Sequence, residues 1–172
     1  FVEATPRYDK RNKLKVRIEL TDFSVYYTQG AAEAAIASLK NGKSEVVCEQ
    51  GQLYKIGKSK DGVVKKDRLT KHWTDWVDYW AVDFDYPSRK EIIRVPIGDV
   101  TPGEVTTDFE ERWTGGYIFE NEWQSFRTRQ SRDLELTTAE HTYDRPGRYL
   151  IAVKVIDIFG NDTMTLVPVN VG

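Results

Sequence analysis

The stretch HTYDRPGRYLIAVKVIDIFGND, residues 141–162, carries the strongest fold signal in this 172-residue chain. Its Pro146-Gly147 pair sets the backbone for a tight turn. Residues 149–155 then alternate between two faces, which predicts a strand with one buried side. A second turn follows, in which Gly160 can adopt the positive φ that such turns require. We therefore predict that this stretch forms the last hairpin of a β-sandwich.

Upstream segments predict further short strands. KLKVRIEL alternates strictly from Leu14 to Leu20, which is typical of a half-buried strand. A helix is expected from Gly30 to Lys40, where helix-forming residues dominate and Gly42 supplies a stop. The Asp61-Gly62 pair predicts a tight hairpin. Turn signals about every eight to twelve residues favour a sandwich or barrel.

The run WTDWVDYWAVDFDY predicts a strand with Trp80, Val82 and Phe84 on one face. KEIIRVPIG and GGYIFENEWQSFRTR are the next strand candidates, separated by a turn-rich, acidic stretch at 98–116, and DLELTT is a short one. The expected fold class is mainly β. An immunoglobulin-like sandwich is predicted over residues 73–172, and residues 1–72 form a β-rich extension, with one helix, packed on the same core.

The ending resembles the signature of the polycystic kidney disease (PKD) domain, an immunoglobulin-like sandwich. The family pattern joins an aromatic strand to His-Thr-Tyr, a Pro-Gly turn, a Tyr, an alternating strand and Asp-x-x-Gly. The structural residues that match it here are Trp80, Phe84, His141, Tyr143, Pro146, Gly147, Tyr149, Asp157 and Gly160. The Gly-Asp-Gly turn of the family is replaced by residues 85–87, and a long insertion separates the halves. Tyr149 is placed to donate a hydrogen bond back across the corner, as tyrosine corners do.

A longer resemblance covers residues 1–25 loosely and 72–171 more closely. This region is similar to the C-terminal part of prokaryotic, adenine-specific DNA methylases linked to type III restriction–modification systems. Such enzymes use S-adenosylmethionine, but their Asp-Pro-Pro-Tyr box and Phe-x-Gly-x-Gly loop are absent from this sequence. The resemblance therefore implies no catalytic residue and no cofactor in this fragment. It implies that S-adenosylmethionine binds elsewhere in a longer parent chain. It also implies that the partners of this fragment are the remainder of the methylase and its restriction subunit.

The chain begins at Phe1 and its only methionine is Met164, which predicts a piece of a longer protein. No run approaches the roughly 18 apolar residues of a spanning helix, and the first residues do not resemble a signal peptide. The single Cys48 excludes an internal disulfide and favours a reducing, cytoplasmic setting. No membrane partner is expected.

The net charge of −2 is unevenly spread. Residues 1–72 carry 15 Lys and Arg against 9 Asp and Glu, a net +6, and residues 73–172 carry 10 against 18, a net −8. The first basic segment, YKIGKSKDGVVKKDRLTKHW, could contact DNA phosphates without reading bases. The second, FRTRQSR, includes Phe126, lies near Trp123 and could accept a phosphate or stack on a base. The candidate contact residues are Lys58, Lys60, Lys65, Lys66, Arg68, Lys71, Arg127, Arg129 and Arg132. A charged hairpin that keeps an edge strand soluble explains the first segment equally well.

Catalytic chemistry finds little support in the sequence. The two histidines, His72 and His141, have no Ser, Cys or Asp partner at a spacing that identifies a triad. Asp83 and Asp85 share a predicted sheet face and could chelate a hard cation, although solvent-facing strand polarity is the simpler interpretation. No metal ligand is assigned.

The sequence thus favours a non-catalytic accessory domain of a DNA modification methylase, which contacts double-stranded DNA or docks a subunit. The alternative is a PKD-like protein- or carbohydrate-interaction module of a surface or secreted protein. An exposed pair of tryptophans would mark an interface.

Overall fold

The computed structural model describes residues 1–25, 30–98, 102–103 and 108–172 and shows a mainly β protein, as predicted. In the described residues one α-helix is present, α1 (Ala31–Ser38), together with two short 3-10 helices, Trp73–Trp76 and Tyr86–Ser88. The strands are β1 (Val2–Tyr8), β2 (Lys15–Phe23), β3 (Ser44–Glu49), β4 (Gln52–Lys58), β5 (Val64–Arg68), β6 (Val77–Asp83), β7 (Lys90–Pro96), β8 (Phe109–Tyr117), β9 (Trp123–Phe126), β10 (His141–Thr142), β11 (Gly147–Asp157) and β12 (Asp162–Val171).

Two antiparallel sheets enclose the main core. One has the strand order β1-β2-β10 and the other the order β12-β11-β6-β9. The alternation in β2 buries Val16, Ile18 and Leu20, and these side chains pack in one cluster with the inward row of β11, which includes Ile151 and Val153. Burying each such side chain stabilises the fold by about 1.5–3 kcal/mol relative to exposure. The two inward rows therefore hold the sandwich together.

The beginning and the end of the chain meet in one sheet. Val16 of β2 pairs with His141 of β10, and β1 pairs along the other side of β2. The amide of Leu20 donates to the carbonyl of Leu136. The predicted strand DLELTT is therefore wrong as a strand of its own: it forms one isolated antiparallel bridge, between Thr137 and Glu19, and the amide of Thr138 donates to the carbonyl of Ile18 beside it.

A smaller sheet, β3-β4-β5, carries α1 on one face. Ile56 of β4 is fully buried and clusters with Ala32 and Ala35 of the helix. The β4–β5 hairpin turns at the predicted Asp61-Gly62 pair, where Gly62 has φ +83°. This sheet presents β5 as an edge strand to solvent.

The central strand β6 departs from simple alternation. Trp80 and Val82 face the core, but Ala81 and Asp83, on the opposite face, are also fully buried. The segment that leads from β8 to β9 covers that outer face, and the ring of Phe119 within it lies under the Lys154 ammonium of β11. A covered outer face explains why both rows of β6 are buried.

β7 and β8 form a two-stranded ribbon, which we call the arm. The predicted turn region 98–116 is thus wrong over residues 109–116, which belong to β8; residues 99–101 and 104–107 lie outside the described residues. The alternation of β8 is broken by Thr114, Gly115 and Gly116, so sequence patterning did not mark it. The amide of Ile118 donates to the carbonyl of Arg89 and closes the base of the arm.

Candidate nucleic-acid-contacting surface

β5 is the most basic exposed element of the structure. All five of its residues, VKKDR, are exposed, and the strand lies at the edge of its sheet. Lys66 and Arg68 pair with Ile56 and Tyr54 on the face that carries α1, so Lys65 points to the opposite face. An approaching polyanion would therefore meet cations on both sides of the strand edge.

The six predicted cations of this hairpin differ in how freely they are available. Lys58 donates from Nζ to the carbonyl of Leu39, the C-cap residue of α1, where a cation also complements the helix dipole. Lys65 lies 3.6 Å from Asp67 but its side chain is 78% exposed. Lys66 lies 3.0 Å from the Glu49 carboxylate and 4.2 Å from the centre of the Tyr54 ring.

The contact with Lys66 holds the pKa of Glu49 below its usual range. In the part of the chain that the structure describes, Lys60, Arg68 and Lys71 form no ion pair and are exposed. Lys58 is therefore committed to the helix end, whereas the other five cations face solvent.

The second predicted basic segment has one structural arginine and two exposed ones. Arg127 donates to the carbonyls of Thr74 at 2.8 Å and Val77 at 3.0 Å, and also to the carbonyl of Arg132. A guanidinium held by three backbone acceptors has few donors left for a phosphate. Arg129 and Arg132 remain exposed in the loop that follows β9.

The two basic segments meet at the 3-10 helix Trp73–Trp76. Lys71 lies just before this helix, and its backbone amide donates to Asp75 at 2.8 Å. That hydrogen bond holds the pKa of Asp75 below its usual range, against the effect of burial. Arg127 donates to the carbonyl of Thr74 in the same helix. Both basic segments are therefore hydrogen-bonded to this 3-10 helix.

We call the exposed cations of both segments the basic surface. They share exposure and belong to the two segments that bond the same 3-10 helix, and they are Lys60, Lys65, Lys66, Arg68, Lys71, Arg129 and Arg132. Long basic side chains on an edge strand and a loop can contact phosphates, but they present no element shaped to read base edges in a groove.

The residues that match the PKD pattern lie in or around the core. Trp80 is fully buried, donates from Nε1 to the carbonyl of Glu135 at 2.7 Å, and packs edge-on against Trp123. Asp157, 2% exposed, accepts the backbone amides of Phe159 and Asn161 at the last turn, where Gly160 has φ +84°. These residues shape the sandwich and its final hairpin.

A column of rings closes one end of the sandwich. His141 stacks on Phe84 at 4.2 Å, Tyr143 stacks on Tyr149 at 3.9 Å, and His141 meets Tyr143 edge-on. The Tyr143 hydroxyl donates to the carbonyl of Phe84 at 2.7 Å, and the Tyr149 hydroxyl donates to the carbonyl of Arg145 at 2.9 Å, as predicted for a tyrosine corner. Burial raises the pKa of Tyr143 and lowers that of His141.

At the Pro-Gly turn, Pro146 packs against the last residue of the chain. A Cβ added at Gly172 would lie 2.3 Å from the Pro146 ring. The residue after Pro146, Gly147, is the first residue of β11. The turn therefore also fixes the end of β12.

The sequence did not reveal an ionic cluster around Asp83. This carboxylate is fully buried, accepts the amides of Asp85 and Glu120, and lies 3.3 Å from Nε of Arg89. The Arg89 guanidinium also contacts Glu120 at 2.8 Å and pairs with Glu122. Burial disfavours the charge of Arg89, but the hydrogen bond to Glu122 and the neighbouring carboxylates outweigh it and raise the pKa of Arg89.

Asp83 therefore does not face solvent, contrary to the simpler interpretation of the sequence. Its charge is paired with Arg89, which occupies the position that a bound metal cation would take. Among the described residues no group of three His, Cys, Asp or Glu side chains is arranged to hold a metal ion. The open cleft beside the ring column, about 460 Å³, is lined by Arg89, Glu122 and His141, among others. The cation of Arg89 is already paired with acids there.

A scan against family models, a search of curated proteins and a search of solved structures each found no match to this chain. In the described residues no helix is both long and apolar enough to cross a membrane.

Proposed function

We propose that this chain is a non-catalytic accessory module that holds double-stranded DNA by its phosphates, as the C-terminal domain of a DNA modification methylase. The observation that carries the proposal is the exposed basic edge strand β5. Two exposed arginines add to it in the loop after β9, whose first residue, Arg127, bonds the 3-10 helix that follows the hairpin. The methyl-transfer chemistry, with S-adenosylmethionine, would reside in the remainder of the parent chain.

The chemistry of the basic surface supports contact with backbone and not with bases. Lysines and arginines that neutralise DNA phosphates release the counterions bound there. A plot of the logarithm of the binding constant against the logarithm of the salt concentration therefore has a slope of about −0.9 for each phosphate contact. Both rows of β5 side chains flank an edge that has no strand partner among the described residues, and such an edge suits a continuous line of negative charge. Sequence selectivity is not expected from this surface.

Fluorescence anisotropy with a labelled duplex of about 20 base pairs tests the proposal directly. The full chain should bind at low salt and lose affinity steeply toward physiological salt. Lys65→Glu/Lys66→Glu should weaken binding at least tenfold and reduce the salt slope. The matched control is Lys10→Glu/Lys13→Glu, which makes the same charge change at exposed residues of the β1–β2 turn. Equal losses in both variants, or no binding at low salt, would contradict a defined basic surface.

The arm favours a second candidate, an interaction module of the PKD-like kind. Trp113, Ile92 and Phe109 on the arm are each more than 40% exposed, and clustered exposed apolar side chains commonly mark interfaces. If the module binds carbohydrate, a glycan array probed with the full chain will give a signal that Trp113→Ala removes. The absence of any glycan signal would contradict carbohydrate binding.

A further inference from the structure

The arm leaves both of its strand edges without a strand partner among the described residues. Almost every residue of β7 and β8 is exposed, including Ile92, Ile93 and Trp113. An exposed strand edge with apolar side chains is a template for pairing with another chain. The features of the two edges decide which one is suited to that role.

The hydrogen-bond pattern shows which peptide groups point outward. Ile97 donates its amide to the carbonyl of Asp108, so this pair is a hydrogen-bonded pair of the antiparallel ladder. Such pairs alternate along the ladder, so Phe109, Glu111 and Trp113 direct their amides and carbonyls away from β7. The outer edge of β8 therefore offers a regular row of donors and acceptors over residues 109–113.

The outer edge of β7 is less suited to pairing. Pro96 lies at an outward-facing position opposite Phe109 and has no amide to donate. The register also shifts between Lys90 and Ile92, which ends the regular ladder. Both features are ways in which proteins protect an edge strand, and β8 has neither over residues 109–113.

The sequence of this edge, FEERW, is self-complementary about Glu111. We propose that a second copy of the chain adds to β8 in antiparallel register, with a two-fold axis at Glu111, to form a four-stranded sheet across two arms. This register sets Phe109 opposite Trp113 of the second copy, and Glu110 opposite Arg112 of the second copy. A closed two-fold interface requires this kind of self-complementarity.

The two Glu111 side chains that meet at the axis carry like charges, and an arginine in each arm offsets them. Within each arm Arg94 is the direct cross-strand partner of Glu111. Arg94 also lies 5.1 Å from the centre of the Phe109 ring, on the same face. The row across the dimer is thus Arg94, Glu111, Glu111 and Arg94, with equal numbers of positive and negative charges.

Neighbouring registers lack this balance. An axis at Glu110 would place Phe109 opposite Glu111 of the second copy, and an axis at Arg112 would bring two arginines together. In the single chain Glu110 and Arg112 pair with each other along the strand. In the dimer Glu110 pairs with Arg112 of the second copy instead of with Arg112 of its own chain. Each of these charged side chains therefore keeps a partner of opposite charge.

Sedimentation velocity of the full chain over about 1–200 µM tests the dimer. We expect a concentration-dependent monomer–dimer equilibrium that Arg112→Glu or Glu110→Arg weakens at least tenfold, because each places like charges together at two symmetric positions. The exchange variant Glu110→Arg/Arg112→Glu restores the pairing and should dimerise like the unmodified chain. The control is Lys10→Glu, an exposed charge reversal outside both the arm and the basic surface.

Cross-linking tests the register itself. In a Cys48→Ser background, chains carrying Glu110→Cys are mixed with chains carrying Arg112→Cys under mild oxidation. The proposed register puts these positions opposite each other at a non-hydrogen-bonded pair, where the Cα atoms come within disulfide range. We expect the mixed disulfide to form faster than either homodimeric disulfide.

A chain that is monomeric at every concentration, or a dimer that Arg112→Glu leaves unchanged, would overturn the proposal. Circular dichroism of each variant shows whether it is folded. If a single variant does not fold, the exchange variant still tests the proposal. DNA binding is measured separately and does not depend on this interface.

Discussion

At the scale of single residues, the pairing of Asp83 with Arg89 holds the base of the arm on the sandwich. Arg89 precedes β7, and Glu120, whose amide binds the same carboxylate, follows β8. The buried Asp83 carboxylate therefore binds residues at both ends of the arm. An unpaired carboxylate at that depth would carry a large desolvation cost.

Arg89→Met should lower the free energy of unfolding by about 3 kcal/mol, because it leaves the fully buried Asp83 carboxylate without its cation. Urea denaturation measures the loss. In Asp83→Asn/Arg89→Met the buried charge is gone as well, so the double variant should recover a substantial part of the stability. Equal losses in the single and double variants would show that the pair is not coupled.

His141 should make stability depend on pH. Burial lowers its pKa from the usual 6.5, although Glu122, Asp144 and Asp85 act in the opposite direction. Below about pH 6.5 the unfolded chain binds a proton that the folded protein resists, so the contribution of His141 to stability is present above this pH and is lost as pH falls.

The measurement is urea denaturation at pH 7.5, 6.0 and 5.0 for the unmodified chain and for His141→Gln. The variant should lose less stability on acidification, since the titrating ring is gone and the other groups are common to both proteins. Parallel profiles for the two proteins would contradict a shifted His141.

At the scale of elements, the ring column links β10 and β11 to the end of β6. Tyr143→Phe removes a hydroxyl that donates to the buried end of β6, at Phe84, and should cost about 1–2 kcal/mol. Tyr149→Phe removes a more exposed hydroxyl and should cost about 0.5 kcal/mol or less, since water can replace it. Thermal denaturation of both variants compares the two hydroxyls, and a larger loss in Tyr149→Phe would contradict the assignment.

The arm should be dispensable for the sandwich. Arg89 and Ile118 are hydrogen-bonded, so residues 90–117 can be replaced by two glycines without moving the chain ends. We expect the shortened chain to unfold in one cooperative transition, with a near-ultraviolet circular dichroism spectrum that changes only by the contributions of Trp113 and Tyr117 and of the Tyr86 ring that Tyr117 contacts. Loss of cooperative unfolding would show that the arm is part of the core.

The elements that sequence predicted correctly are those whose pattern is local. The alternation of β2 gave its buried face, and the Asp61-Gly62 pair gave the hairpin turn. β8 was missed because its alternation is interrupted at residues 114–116. A pattern of period two cannot signal a strand that contains a bulge of several residues.

The site residues that sequence could not place depend on distant partners. Arg127 was predicted as a phosphate contact, but its acceptors at Thr74 and Val77 come from about 50 residues upstream. Asp83 was predicted to face solvent, but its cover arrives with the segment after the arm. Such pairings follow from topology and not from spacing in the sequence.

At the scale of the whole molecule, the basic front half and the acidic back half share one sandwich through β2 and β10. At this junction the charges of the two halves pair, because Lys15 and Arg17 of β2 lie 3.7 Å and 3.2 Å from the carboxylate of Glu140. The β4–β5 hairpin carries most of the net positive charge of the front half, and the loop after β9 adds the exposed Arg129 and Arg132.

The most direct measurement is a titration of the ¹⁵N-labelled full chain with a short DNA duplex, followed by amide chemical shifts. Our account predicts that the shifts change along β5, at Lys71 and in the loop containing Arg129 and Arg132, and that they remain unchanged in the arm and on β12. Shift changes centred on the arm, or no changes at low salt, would contradict the claim that the basic surface is where this module holds DNA.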